Sequence, residues 1–294
     1  MPLPNETDVL IIGAGPAGIA AAIQLKRYGI PFLIFEKEWI GGLLWNANLV
    51  ENYPGFANGV SGPKLIGLFE KQMERIGVEI TREKVIDADW ANEQFSVEVQ
   101  SAIYHAKFLV IASGTKAMPF PISAPMDVQS HVFSDVVHLL DVSDRHIVIV
   151  GAGDAAFDHA LNLVKKRNSV TILNRGRDVK CLPLLAERIK LRPEIQYRDE
   201  VAVSGLESSA GGLIVHCRTS NAVEQIKSDY VIFAIGRESQ QDFLSANLRE
   251  KESELIFAGK LHFVGDVRNG LMRQTAIATG DGLRAAMQIY LAKG

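Results

Sequence analysis

The sequence predicts an α/β protein of two three-layer ββα units, each built on a parallel sheet, with the second unit inserted into the first. Three observations lead there. The segment from Asp8 to Trp39 (DVLIIGAGPAGIAAAIQLKRYGIPFLIFEKEW) lies without a gap on the segment from His146 to Arg177 (HIVIVGAGDAAFDHALNLVKKRNSVTILNRGR), 138 residues further along the chain. Each copy opens on a near-continuous run of Val, Ile and Leu, the pattern of a parallel strand covered on both faces. It continues through a glycine turn into an Ala- and Leu-rich helix and a second apolar strand. A last strand, Leu261 to Val264, and a helix from about Gln274 to Leu291 follow the second copy; if that strand returns to the first sheet, the second unit is an insertion.

In chain order, the first strand runs into the turn Gly13-Ala14-Gly15-Pro16-Ala17-Gly18. Absent side chains let the backbone turn tightly, approach a pyrophosphate and seat the helix on the strand, while the helix N-terminus offers unpaired N–H groups to phosphates. Glu36 closes the second strand, where a carboxylate can accept hydrogen bonds from a ribose diol. Strand, turn, helix, strand and acid together read as a Rossmann-like dinucleotide-binding domain. The alternation from about Phe95 to Val99 predicts a small antiparallel sheet, and Phe108 to Gly114 a buried strand ending in small residues. Breakers and polar residues mark crossings near Thr115 to Pro125 and near Gly236 to Phe243. The expected domains are 1–118 with 244–294, and 119–243.

The inserted unit repeats the pattern at Gly151-Ala152-Gly153-Asp154-Ala155-Ala156, but the position matching Glu36 is Asn174, followed by Arg175, Gly176 and Arg177. A carboxylate there would repel a ribose 2′-phosphate, whereas an Asn with neighbouring guanidiniums can bind one, which favours NADPH over NADH. A second alternating stretch, Leu213 to Cys217, and a second closing strand, Tyr230 to Gly236, follow. After the return, Phe263-Val264-Gly265-Asp266 leads to Arg273-Gln274-Thr275-Ala276 and the last helix. An Asp at the end of a buried strand can reach a ribityl hydroxyl, and a helix N-terminus aimed at a flavin pyrimidine ring stabilises the charge that collects there on reduction.

The 294 residues are 47% hydrophobic and 22% charged, enough for two medium cores and without the composition of disorder. A net charge of −3 and a pI near 6.2 give no basic field, which argues against nucleic acid and against a basic membrane-surface mode. The start, Met1 to Asp8, has no charged n-region before an apolar h-region, and the apolar runs are broken well short of a membrane span, so a cytoplasmic protein is expected. Two cysteines, Cys181 and Cys217, stand in neither C-x-x-C nor metal-ligand spacing, so ordinary thiols and no metal site are expected.

The glycine turn with Glu36, Gly41-Gly42, the run Val50-Glu51-Asn52-Tyr53-Pro54-Gly55-Phe56, Ala112-Ser113-Gly114, GAGDAA, Ala234-Ile235-Gly236-Arg237 and Gly265-Asp266 with Arg273-Gln274 resemble the low-molecular-weight thioredoxin reductase family over essentially the whole chain. The resemblance implies FAD in the first domain and NADPH in the second. It places Gly13, Gly15, Gly18, Glu36, Gly42, Asn52, Asp266 and Gln274 at FAD, with Pro16, Ala17, Lys37, Leu43, Ile86, Gly114, Gly265, Arg273 and Thr275 as further candidates. It places Gly151, Gly153, Asp154, Arg175, Arg177 and Gly236 at NADPH, with Ala155 and Arg237 beside them. It also implies a homodimer whose NADPH domain moves during turnover.

The departures bear on chemistry. By ungapped spacing the family's C-x-x-C falls on Ser134-Asp135-Val136-Val137 and its following acid on His138, so neither redox cysteine is present. Without a thiolate to attack the flavin and a second to resolve it, electrons have no disulfide route at that face. Leu43 replaces the usual Gln after the paired glycines. The turn and helix from Gly153 to Leu163 are similar to thioredoxin-reductase-like ferredoxin–NADP reductases, although with Gly294 following directly on the last helix the C-terminal aromatic cover of those relatives is not expected here. The expectation is an NADPH-dependent flavin oxidoreductase serving an external acceptor such as a ferredoxin, a flavodoxin or a small molecule. A flavin-binding redox sensor or assembly subunit is the alternative. His138 is the candidate to move a proton near the flavin.

Overall fold

The computed structural model describes residues 5–122 and 124–293. The reading of the chain start therefore rests partly on residues 1–4, outside the described residues, as is Ser123 in the first expected crossing. The chain divides into two compact units, Met1–Trp45 with Val50–Lys116 and Glu238–Gly294, and Asn46–Leu49 with Ala117–Arg237.

The first unit opens with β1 (Glu6–Ile12), α1 (Pro16–Arg27) and β2 (Phe32–Phe35), followed by α2 (Gly62–Ile76), β3 (Asp87–Ala91), β4 (Gln94–Glu98), β5 (Ile103–Ile111) and the short β6 (Thr115–Ala117). The second unit holds β7 (Val132–Phe133), β8 (His146–Val150), α3 (Asp154–Leu163), β9 (Ser169–Leu173), α4 (Pro183–Lys190), β10 (Ile195–Arg198), β11 (Ala202–Ser209), β12 (Gly212–Arg218), β13 (Val223–Ser228) and β14 (Tyr230–Phe233). The chain returns through β15 (Arg237–Ser239), which pairs with β6, into α5 (Ala246–Phe257), β16 (Leu261–Phe263) and α6 (Thr275–Lys293).

In the first unit β1 lies between β2 and β5, all parallel, and β16 pairs in parallel with Leu109 to Ile111 of β5. The last strand does return to the first sheet, so the second unit is inserted. The antiparallel pairing expected at the alternating stretch forms, but as part of the main sheet and not as a small sheet of its own. β5 is nine residues long, and its first half pairs antiparallel with β4 while its second half pairs with β16, so the ladder β3-β4 continues the main sheet. Alternate residues of β1 feed two cores: Val9 and Ile11 pack with Ala21, Leu25, Ala285 and Ile289 of α1 and α6, Leu10 and Ile12 with Phe95, Val97 and Leu248. Burial on both faces is what the unbroken apolar run required.

The second unit has a parallel sheet in the order β10-β9-β8-β14-β7 and a separate antiparallel sheet β11-β12-β13. Ile147 and Ile149 face α3 and α4; Val148 faces Leu213, Val215 and Cys217 of β12. The duplication holds down to register. Ile12 stands opposite Phe35 and Ile111, and Val150 opposite Leu173 and Phe233. Gly13 N donates to Phe35 O at 2.8 Å and Gly151 N to Leu173 O at 2.9 Å, so both glycine turns leave their sheets at the same point.

Candidate functional site

Each glycine of the first turn has its own physical reason. Gly13 has φ +102°, and a Cβ on it would lie 2.4 Å from Ala112 O. A Cβ on Gly18 would lie 1.9 Å from Gly13 O, so this glycine lets α1 sit directly against the turn. Gly15 differs: a Cβ there would meet nothing within 4 Å, so the turn presents bare backbone to open space at the N-terminus of α1. Gly41 N donates to Ala14 O at 2.7 Å, and a Cβ on Gly42 would stand 3.6 Å from the Gly15 Cα, which brings Gly41-Gly42 and the neighbouring Leu43 to the same cradle. Glu36 is buried at the strand end; its Oε2 accepts Ala14 N at 2.8 Å and its Oε1 accepts Glu38 N at 2.9 Å.

Asn52 and Gln274 also meet, Asn52 Nδ2 donating to Gln274 Oε1 at 2.8 Å, next to Thr275 at the start of α6. Gly265 has φ +73°, and a Cβ on it would press to 2.9 Å from the Cβ of Ala17, so the segment carrying Asp266 packs on the first turn of α1. Asp281 fixes that segment by accepting from Gly265 N and Asn269 Nδ2. Gly114 O accepts Gln240 N at 3.0 Å, and Lys37 Nζ reaches Gln240 Oε1 at 3.4 Å. Ile86 stands just before β3, exposed, with its amide bonded to Glu98 O.

The second turn repeats the first with one substitution. A Cβ on Gly151 would lie 2.3 Å from Ala234 O and one on Gly153 would meet nothing within 4 Å, while the third position is the fully buried Ala156. Asp154, at the start of α3, accepts Leu182 N at 2.7 Å, and Lys180 N donates to Ala152 O at 2.9 Å, so residues 180–182 strap the turn. Asn174 replaces the buried acid and is itself buried, its Oδ1 accepting Gly176 N and its Nδ2 donating to Asp178 O and Tyr197 OH. Arg175 is exposed and Arg177 pairs with Glu200 at 2.9 Å.

Residues 134–138 carry an ion pair where the resemblance has cysteines. Asp135 Oδ1 accepts Arg237 Nη1 at 2.9 Å and Asn46 Nδ2 at 3.0 Å, and Asn46 Oδ1 accepts Val137 N at 3.0 Å. His138 is exposed and stacks on Phe133. Beneath this segment α3 presents a polar face. Asp158 Oδ2 accepts Asn48 N at 2.8 Å, and Asn162 Nδ2 donates to Asn46 O at 3.2 Å. Burial pushes the Asp158 carboxyl up to about 6, against the bonds from Asn48 and the charges of Lys165 and Arg188. Burial holds the His159 imidazole down to about 4, and its Nδ1 has no hydrogen-bond partner among the described residues. Sequence reasoning had named neither Asp158 nor His159 as titrating oddly, since nothing in an isolated Asp-His pair on a helix tells how deeply it is buried.

Both cysteines are free. Cys217 is fully buried in the core under β12, where burial and the nearby Glu224 push its thiol up to about 11; Cys181 belongs to the strap beside the second turn, and burial raises its thiol too.

Two nucleotide-type turns, each on its own parallel sheet within one chain, define a class of two-dinucleotide oxidoreductase. The chain belongs to the pyridine nucleotide-disulphide oxidoreductase family, whose model matches residues 7–281. It is 28% identical to a 34.2 kDa protein in the rubredoxin operon of Clostridium pasteurianum, covering 96% of each chain, and 28% identical to a thioredoxin reductase of Rickettsia felis, covering 96% of this chain and 97% of the relative. The fold is similar to the crystal structure of Lactococcus lactis thioredoxin reductase in its FR conformation, with a TM-score of 0.85, 23% identity and coverage of 97% and 98% of the two chains. FAD and NADPH are the cofactors of this family and of this chain, and the open cradles at Gly15 and Gly153 fit their phosphates. No helix among the described residues is long and apolar enough to cross a membrane.

Proposed function

We propose that the chain is an NADPH-dependent flavoprotein reductase that works without a redox-active disulfide and passes electrons to an external acceptor. The observation that carries this reading is the ion pair Asp135–Arg237, braced by Asn46, at the stretch where the resemblance calls for a cysteine pair. Neither cysteine substitutes: the Cys217 thiol lies in a closed core with its ionisation suppressed, and Cys181 belongs to a nucleotide strap. The relative named for a rubredoxin operon supports a small electron-transfer protein as acceptor, of the ferredoxin or flavodoxin kind.

The first unit is the FAD domain in this reading. Bare backbone at Gly13 to Gly18 and the N-terminus of α1 receive the pyrophosphate, Glu36 takes a ribose diol, and Asn52, Asp266 and Gln274 hold the ribityl and flavin end. The second unit holds NADPH at Gly151 to Ala155, with Gly236 just past the end of β14 and the turn bearing Arg175 and Arg177 for the 2′-phosphate. FAD supplies acceptance of a hydride from NADPH and its onward release as electrons. That transfer rests on alignment rather than on a side-chain acid or base, so no side chain is indispensable to it, and His138 is assigned only to proton exchange with solvent. The chain acts as a cytoplasmic homodimer in this account.

Two assays on one preparation test the reading: NADPH oxidation with a rubredoxin, ferredoxin or flavodoxin as acceptor, and NADPH-dependent reduction of thioredoxin or an aromatic disulfide. Carrier reduction that survives in the double variant Cys181→Ser, Cys217→Ala is expected. Disulfide reduction that disappears in that variant would overturn the proposal.

A further inference from the structure

The last helix of the first unit rests directly on the first helix. A Cβ on Gly282 would lie 2.0 Å from Ala17 O, so α6 meets the backbone at the start of α1 with no side chain between. Asp281 stands next to that contact, and its Oδ2 accepts from Gly265 N at 3.2 Å and from Asn269 Nδ2 at 2.6 Å. The two donors bracket Asp266. Between them the backbone makes a single 3-10 turn, Gly265–Val267, closed by Arg268 N and Asn269 N on Gly265 O at 3.1 and 3.3 Å. Bonds within the turn fix its shape, whereas its place depends on bonds to other elements. Val264 N on Ile111 O anchors the entry and Ser239 Oγ on Val267 O the middle. Asp281 ties both ends of the turn to α6 and, through the contact at Gly282, to α1. A carboxylate suits this place because it only accepts and both of its partners donate.

The proposed function puts the pyrophosphate at the N-terminus of α1 and the ribityl chain at Asp266. Both belong to one molecule of FAD, whose covalent length fixes the span between them, so the second grip strengthens binding only if it is held at a matching distance from the first. Resting on that reading, we infer that Asp281 is a positioning residue for FAD: it sets the reach from the pyrophosphate cradle to Asp266 by latching the Asp266 turn to the helix packed on that cradle. The ribityl half of the cofactor depends on this latch and the adenine half does not.

Displacement of FAD by ADP reads the two halves separately, because ADP fills the pyrophosphate and ribose positions and has no ribityl chain. Flavin fluorescence gives the FAD affinity of the full chain, and the ADP concentration that releases the flavin gives that of ADP. Asn269→Asp places a second carboxylate against Asp281. It is expected to weaken FAD about tenfold, the scale of one charge-assisted hydrogen bond, and to leave the ADP affinity unchanged. The double variant Asn269→Asp, Asp281→Asn again sets a donor against an acceptor and leaves an amide oxygen for Gly265 N, so it is expected to recover the native FAD affinity. Equal losses for FAD and ADP in Asn269→Asp would overturn the inference, since the contact would then merely support the fold; so would a double variant as weak as the single one. ADP that fails to displace FAD from the native protein would instead remove the reading of the cradle itself, a result neither variant could mimic.

Discussion

At the scale of the single residue, the glycines of the first turn separate what the fold needs from what the ligand needs. Gly18 is required by the protein, since any Cβ would press to 1.9 Å from Gly13 O. Gly15 is not, since the space above it is open. Gly18→Ala should therefore cost the apo protein about 3 kcal/mol and lower its melting temperature whether or not FAD is added. Gly15→Ala should leave the apo melting temperature unchanged and weaken FAD binding about tenfold or more, read by flavin fluorescence titration. Equal losses of apo stability in both variants would contradict the separation. These glycines were legible in the sequence because their demands are local: turn, strand and helix lie within a few residues, and the spacing alone states the geometry. The same spacing places Glu36 at the end of the second strand, while its acceptance of Ala14 N appears only in three dimensions.

At the scale of the element, α3 carries two adjacent side chains whose burial acts in opposite directions. The Asp158 pKa is raised to about 6, so its ionisation opposes the fold: that cost is absent below the free value of 3.8 and grows until pH passes about 6. The His159 pKa is lowered to about 4, so its protonation opposes the fold: that cost is absent above the free value of 6.5 and grows as pH falls. Between those limits the two slopes offset each other in the native chain. Asp158→Asn keeps an acceptor for Asn48 N and removes the first cost only. It should stabilise the protein by about 2 kcal/mol above pH ~7, with the gain vanishing near pH ~4 and the His159 slope left uncompensated. Urea unfolding across that range checks it; an offset independent of pH would contradict it. None of this could be read from sequence. The partners of that polar face, Asn46 and Asp135, are 89 residues apart, and Asp135 and Arg237 are 102 apart, so no local pattern announces them. The helices α2, α4 and α5 also escaped the sequence reading, which followed the duplicated strands and turns, whereas α6 was found within two residues of its bounds.

At the scale of the whole molecule, the fold was largely legible because the chain states it twice, and the second statement keeps the strand register of the first. What differs between the copies is informative: a buried acid at Glu36 against a buried amide at Asn174, and Gly18 against Ala156. The antiparallel ladder of the first unit shows in its alternation, but its place in the main sheet does not, because only the length of β5, pairing on one edge with β4 and then β16, decides it. The central claim is that the electrons of NADPH stop at the flavin before leaving the protein, with no thiol pair between. An anaerobic titration of the FAD-loaded protein with NADPH, following the oxidised-flavin absorbance, tests this most directly, since a redox-active disulfide would absorb a further two electrons per flavin. Complete bleaching at one NADPH per FAD is predicted. Consumption of a second equivalent before bleaching is complete, or no bleaching at all, would contradict the account.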